Sequence, residues 1–244
     1  MPDIEKTLRG EVDLTALEAE ELKLLKRKIL EKKGDEGKLR EEFATVAKLF
    51  QAGIPRAYWD IEWKDFVGDQ SARNKVKKYC EMFSEALEHG QGIIFSGKHG
   101  TGKTALSVLI AKHAIQKGHT VKYIPVAKII DMIMQSFDDK QFKENLQIVM
   151  ERTELLILDD LGKEYVGVKK QLNPMVQLTL DSALRERLNR GLVTIASTNL
   201  QPDAIQRTYG DSVFSILLGV CKFVEVTGED YRRMRGQKFW GKIK

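Results

Sequence analysis

Apolar positions along the chain follow two regimes. Over the first 50 residues they recur at helical spacing: Leu22, Leu25 and Ile29 fall at i, i+3, i+7, and Leu39, Phe43, Val46 and Phe50 at i, i+4, i+7, i+11. Gly34 and Gly37 separate these stretches and predict a helical hairpin. Ala52-Gly53-Ile54-Pro55 then breaks the pattern, and an aromatic cluster with Trp59 and Trp63 follows between Tyr58 and Phe66. Helix resumes at about Ser71, carrying Val76, Tyr79, Cys80, Phe83 and Leu87 on one face, and is expected to end at Gly90. From there short apolar runs alternate with helical stretches. Strands are predicted over 93–96, 121–126, 155–158, 193–197 and 223–226, and helices over 103–117, 127–136, 141–151 and 174–189. The strand runs are short and mostly apolar, fully so over 155–158, and they alternate with helices, as in a parallel sheet covered by helices on both faces. The expected fold class is therefore α/β, preceded by a small helical N-terminal segment.

Composition narrows the class. Hydrophobic residues make up 42% and charged residues 31%, and no apolar run approaches the roughly 20 residues of a membrane span. The start, Met1-Pro2-Asp3-Ile4-Glu5-Lys6, lacks the apolar core of a secretory signal. Cys80 and Cys221 lie far apart with no CxxC, which argues against a zinc module or a disulfide framework. Both thiols read as buried small hydrophobes, and the expected setting is a reducing cytoplasm. Lys and Arg exceed Asp and Glu by five, and residues 228–244, with six basic and two acidic side chains, hold four of that surplus.

Three motifs carry chemistry. Gly97-Lys98-His99-Gly100-Thr101-Gly102-Lys103-Thr104 satisfies GxxxxGK[ST] between a predicted strand and a predicted helix. Glycines in that context let backbone N–H groups converge on phosphate oxygens at the positive end of the helix. Lys103 is expected to reach the β- and γ-phosphates of ATP and Thr104 to offer its hydroxyl to Mg²⁺. The nucleotide-binding set is Gly97, Lys98, His99, Gly100, Thr101, Gly102, Lys103, Thr104 and Ala105. Leu155-Leu156-Ile157-Leu158-Asp159-Asp160 is an apolar strand ending in paired acids. Asp159 is expected to hold the metal shell and Asp160 to orient or activate the attacking water, with a reach one methylene shorter than a glutamate. Thr194-Ile195-Ala196-Ser197-Thr198-Asn199 puts a polar Asn199 at the tip of an apolar strand. Alone it reads equally as a capping residue. After the two stronger motifs it reads as a partner of the γ-phosphate or the water.

Together these residues resemble the AAA+ P-loop ATPases, and more narrowly the bacterial and phage helicase loaders of the DnaC/DnaI type. Ala52-Gly53-Ile54-Pro55-Arg56-Ala57-Tyr58 is similar to that family's stretch before the ATPase core, folding beside the adenine. Leu158-Asp159-Asp160-Leu161-Gly162 is similar to its Walker B segment, and Asp230-Tyr231-Arg232-Arg233 to its sensor 2 motif. The resemblance spans about residues 52–235. It implies a segment 1–51 that docks a partner and an ATPase domain 52–244 with a basic tail. It also implies a contact from Arg232 to the γ-phosphate; Arg187 resembles another family arginine whose role here is open. The implied function is ATP-dependent loading of a hexameric replicative helicase onto single-stranded DNA, with self-assembly on DNA and no membrane contact. Two alternatives stand beside it: a transposition regulator of the IstB type, and a nucleotide-binding adaptor with little turnover. An initiator of the DnaA type is disfavoured, because the sequence ends just after Arg232 without room for a DNA-binding helix-turn-helix.

Two departures qualify that resemblance. The loaders place an arginine finger in the helix before the last strand, whereas no arginine lies between Arg207 and Arg232 here. The expectation is a weak ATPase in isolation, because a missing finger costs orders of magnitude in rate. The first 50 residues, with 11 basic and 12 acidic side chains, have no cysteine cluster. They read either as a small domain packing on itself or the main domain, or as a docking arm. For the tail, Arg233, Arg235, Lys238, Lys242 and Lys244 with Phe239 and Trp240 read either as a single-strand binding patch or as a frayed end with Trp240 packed on the core.

Overall fold

The computed structural model describes residues 36–162, 173–231 and 233, and the chain divides into two units, Met1–Trp59 and Asp60–Lys244. In the first unit the described residues form α1 (Glu36–Gln51) and a short 3-10 turn at Arg56–Tyr58. The predicted helix around residues 22–29 lies outside the described residues. α1 stops where the Gly53-Ile54-Pro55 stretch predicted a break. Gly53 is left-handed (φ 76°), its N–H donates to Phe50 O (2.8 Å), and the N–H of Ile54 donates to Leu49 O (3.0 Å). That pair of bonds is a Schellman cap, which satisfies the last carbonyls of the helix. Trp59 folds back to it, donating from Nε1 to Ile54 O (2.8 Å) and meeting Phe50 edge-on at 6.5 Å.

The second unit is a five-stranded parallel sheet. Its strands are β1 (Gly92–Ser96), β2 (Val121–Pro125), β3 (Leu155–Leu161), β4 (Val193–Thr198) and β5 (Cys221–Glu225), in the order β2-β3-β4-β1-β5. The helices are α2 (Gln70–Glu81), α3 (Phe83–Glu88), α4 (Lys103–Gln116), α5 (Val126–Gln135), α6 (Lys140–Glu151), α7 (Pro174–Asn189), α8 (Pro202–Tyr209) and α9 (Asp211–Val220). α4 packs on one face, with α2 outside it. On the other face Leu156 and Leu158 join one buried cluster with residues of α5 to α9. Period-two alternation therefore turns Leu155, Ile157 and Asp159 toward α4. All six residues of β4 are buried, which is why its sequence is apolar or small throughout.

Three expectations are corrected here. The helix predicted from about Ser71 to Gly90 is two helices, broken at Met82 (φ −96°, ψ 16°), although Val76, Cys80, Phe83 and Ala86 keep a helical spacing of buried positions across the break. β3 does not end before the acids but runs through them to Leu161, with an irregular register between Leu158 and Leu161. The irregularity centres on Asp160, the non-glycine residue recorded at positive φ (61°) among the described residues. No predicted element covers α8 or α9; the two buried residues of α8, Ile205 and Tyr209, are too few to set a period. Cys80 and Cys221 are both buried and unpaired, as read from the sequence, and burial pushes each thiol up to about 12.

Candidate functional site

The carboxyl ends of β1, β3 and β4 converge on one edge of the sheet, and β4 lies between β3 and β1. Residues 97–102 leave β1 there and enter α4. Gly97 (φ 147°) and Gly100 (φ 77°) are needed at this turn: a Cβ would stand 2.2 Å from Val226 O at the first and 2.0 Å from Asp230 Oδ1 at the second. Gly102 is the left-handed N-cap of α4 and places no side chain over the helix end. The first N–H groups of a 14-residue helix thus face the loop uncapped by a side chain, the setting in which a helix terminus accepts an anion. Phe66 is buried against Gly102, and Thr101 Oγ1 closes the loop on Lys98 O (3.0 Å).

Lys103, the first residue of α4, is only 6% exposed, and its ammonium turns back into the loop. It donates to Gly97 O (2.8 Å), Lys98 O (2.7 Å) and Asn199 Oδ1 (2.6 Å). With Asn199 Oδ1 accepting from lysine, its Nδ2 donates to His99 Nδ1 (3.2 Å), so His99 carries its proton on Nε2. Asn199 thereby joins the tip of β4 to the loop. Thr198 beside it donates to Leu161 O (2.7 Å) and accepts from the N–H of Leu200 (3.0 Å), which fixes that tip. Ala105 is buried in the first turn of α4.

Asp159 is 5% exposed. Thr104 Oγ1 lies 3.2 and 3.3 Å from its two oxygens, Ser197 donates to Oδ1, and Tyr123 donates to Oδ2. The N–H of Asp160 donates to Ser197 Oγ (3.1 Å). Sequence reasoning missed Tyr123 and Ser197, since nothing local to either residue marks it. Asp230 and Tyr231 abut the loop, the latter donating its N–H to Gly100 O (3.0 Å). Arg232 and the tail cations after Arg233 lie outside the described residues.

Arg187, whose role the sequence left open, stands at the opposite edge of the sheet. The residue is 1% exposed, and its guanidinium donates to Thr194 Oγ1 (3.0 Å), Met150 O (2.8 Å), Thr153 O (2.9 Å) and Val193 O (2.6 Å). Burial pushes it down to about 9, which leaves it charged at neutral pH. Thr194 is five residues ahead of Asn199, about 16 Å along a strand that rises about 3.3 Å per residue. Arg187 ties the ends of α6 and α7 to β4 and is remote from the phosphate loop.

Asp69 was not singled out by the sequence either. It caps α2, accepting from the N–H of Ala72 (2.9 Å), and clamps the segment after β5 by accepting from Thr227 N (3.0 Å) and Oγ1 (2.6 Å). The Thr227 hydroxyl first, then the backbone N–H groups, hold its carboxyl down to about 2 against an ordinary 3.8. Asp69→Ala is expected to lower stability by roughly 1 kcal/mol, the usual worth of an N-cap. A depressed carboxyl stabilises the fold above its unfolded value. The gap between wild type and variant should therefore be full above about pH 4 and shrink as pH falls toward about 2. Urea melts at stepped pH read this directly.

These residues fit a nucleoside triphosphate with Mg²⁺. The cradle at Gly97 and Gly100 has no space for a Cβ, a buried ammonium sits at the uncapped helix end, and the Thr104–Asp159 pair supplies the hard oxygen donors that Mg²⁺ prefers. A β2-β3-β4-β1-β5 parallel sheet with a phosphate loop after β1 and paired acids on β3 is the AAA+ P-loop fold. Residues 17–238 match the family described as IstB-like ATP binding protein, and the chain belongs to that family. It is similar to the protein named replicative helicase loader DnaC of Buchnera aphidicola subsp. Schizaphis graminum, with 23% identity over 199 residues, 78% of this chain and 77% of the relative. Against the DnaC of Escherichia coli K12 the identity is 25% over 175 residues, 70% of this chain and 68% of the relative. Among solved structures, a crystal structure of the DnaC helicase loader superposes with a TM-score of 0.61 at 20% identity, covering 71% of this chain and all of that one. Among the described residues no helix is long and apolar enough to cross a membrane.

Proposed function

We propose that the chain is an ATP-dependent loader of a hexameric replicative helicase onto single-stranded DNA. The observation that supports the ATP-dependent part of this reading is the join of Lys103, on the phosphate loop, to Asn199, at the tip of β4, beside an acid pair on β3. The relatives named replicative helicase loaders supply the biological setting. In this reading Lys103 and the loop N–H groups of 97–105 bind the phosphates, while Thr104 and Asp159 hold Mg²⁺. The metal, when bound, neutralises charge developing on the phosphate oxygens. Asp160 orients the attacking water, and Asn199 exchanges its bond with Lys103 for one to the γ-phosphate or that water. Arg232 reads the γ-phosphate in the same chain. Residues 1–51 dock the helicase, and 52–244 form the ATPase domain.

Hydrolysis is expected to be slow for the protein alone, because no arginine lies between Arg207 and Arg232, and Arg207 pairs with Asp203 on its own helix (2.8 Å). Steady-state turnover should rise severalfold or more when helicase and single-stranded DNA are added together. Fast intrinsic turnover, lost on mutating one of this chain's own arginines, would contradict that. The decisive experiment is copurification of the full chain with a hexameric helicase from the same source, with and without ATP. The family match favours a second reading, an IstB-type transposition regulator that assembles on duplex DNA. Filaments that need duplex DNA, with no helicase contact, would select it. Nucleotide binding without turnover under every condition would select an adaptor.

A further inference from the structure

We infer that Tyr123 and Ser197 are positioning residues that hold the acid pair of β3 for metal binding, an inference that rests on the nucleotide reading of the site. A carboxylate as buried as Asp159 needs hydrogen-bond partners. Its partners come from three separate elements: Thr104 on α4, Tyr123 on β2 and Ser197 on β4. Tyr123 is 5% exposed and Ser197 is fully buried, so both hydroxyls are committed to this carboxylate. Register explains how they reach it. Pro125 stands opposite Asp159 across the β2–β3 pair, and Tyr123, two residues earlier on the same face, spans the diagonal with its long ring.

The roles of the three hydroxyls differ. The Thr104 oxygen is the one the proposed metal takes. Tyr123 and Ser197 then remain as the donors that keep the carboxylate oriented, each on its own oxygen. Ser197 does more, because its oxygen also accepts the N–H of Asp160 at 3.1 Å. That residue is left-handed at φ 61°, a conformation that costs a non-glycine residue about 1–2 kcal/mol and persists only where neighbours hold it. One hydroxyl on β4 thus sets both acids, and β4 leads two residues later to Asn199. A strand on each side of β3 fixes the pair. Partners of this kind behind a metal ligand are worth about 10- to 100-fold in metal affinity.

The test uses Tyr123→Phe, which removes one oxygen and preserves ring packing, and Ser197→Ala, which removes both bonds of the hub. A fluorescent ATP analogue is titrated against the full-length chain at stepped Mg²⁺ and again in EDTA. Tyr123→Phe is expected to raise the Mg²⁺ concentration for half-maximal tightening by about 10-fold or more. Affinity in EDTA should stay within about twofold, because the phosphate loop and Lys103 are untouched. Ser197→Ala should shift the Mg²⁺ requirement at least as far. Equal losses with and without Mg²⁺, or an unmoved Mg²⁺ requirement in a folded Tyr123→Phe chain, would overturn the inference. A wild-type chain that binds the analogue but ignores Mg²⁺ would overturn the inference, and one that does not bind the analogue at all would overturn the nucleotide reading itself.

Discussion

Lys103→Ala is expected to weaken ATP binding by at least about a hundredfold, measured as the Kd of a fluorescent ATP analogue by anisotropy. In the proposed site the ammonium meets phosphate oxygens where little water competes. Truncating one partner of a buried, hydrogen-bonded charge pair costs about 2–5 kcal/mol. Each 1.4 kcal/mol is tenfold in Kd, so the middle of that range exceeds a hundredfold. Lys103 has acceptors in place before any ligand arrives, at Gly97 O, Lys98 O and Asn199 Oδ1. ATP must therefore exchange these bonds rather than find a solvated lysine. The same exchange frees Asn199, which couples phosphate binding to the tip of β4. Lys103→Met, which keeps the packing of the stem, should lose nearly as much affinity as Lys103→Ala. Retention of affinity within about threefold in both variants would remove Lys103 from the phosphate site.

The second large effect concerns stability and lies at the other edge of the sheet. Arg187→Ala is expected to destabilise the second unit by at least about 3 kcal/mol. Four acceptors, Met150 O, Thr153 O, Val193 O and Thr194 Oγ1, would lose their donor together. A buried polar group left unsatisfied costs about 1–3 kcal/mol, and the space left by a 1% exposed side chain adds to that. For a unit of this size, each kcal/mol lowers Tm by about 2–4 °C, so a fall of roughly 6–12 °C should appear in a thermal melt. Arg187→Lys should recover only part of it, because an ammonium cannot copy the planar spread of guanidinium donors. ATP affinity at low temperature should hold within about threefold. Lost affinity with an unchanged Tm would instead make Arg187 part of the nucleotide site.

The phosphate loop was legible because its eight residues are contiguous and each contributes through its own backbone or side chain. The strands were legible for a related reason. β1, β3 and β4 are buried on both faces, so Ile93–Phe95, Leu155–Leu158 and Val193–Ala196 read as short runs dominated by apolar residues between helical stretches. Their ends were less clear, since an acid that continues a ladder looks the same in sequence as one that ends it. Asp160 is the case in point. Its left-handed backbone breaks the alternation that assigns Asp159 to the α4 face, so no period in the sequence says how the second acid is set.

By itself the sequence determined the class of the protein: an α/β chain with a phosphate-binding turn, paired acids and a polar strand tip in the order an ATPase needs. Those features are local, and local patterns of size, charge and glycine specify them. The tertiary structure alone decided which residues serve that site at a distance. Thr104, Tyr123 and Ser197 reach Asp159 from 55, 36 and 38 positions away, brought together by strand order and register. It also decided that Arg187 belongs to the frame: α7 delivers it to the amino ends of the strands, while the phosphate loop stands at their carboxyl ends. A parallel sheet separates its two edges by the length of its strands, and only the folded chain shows on which edge a side chain lies.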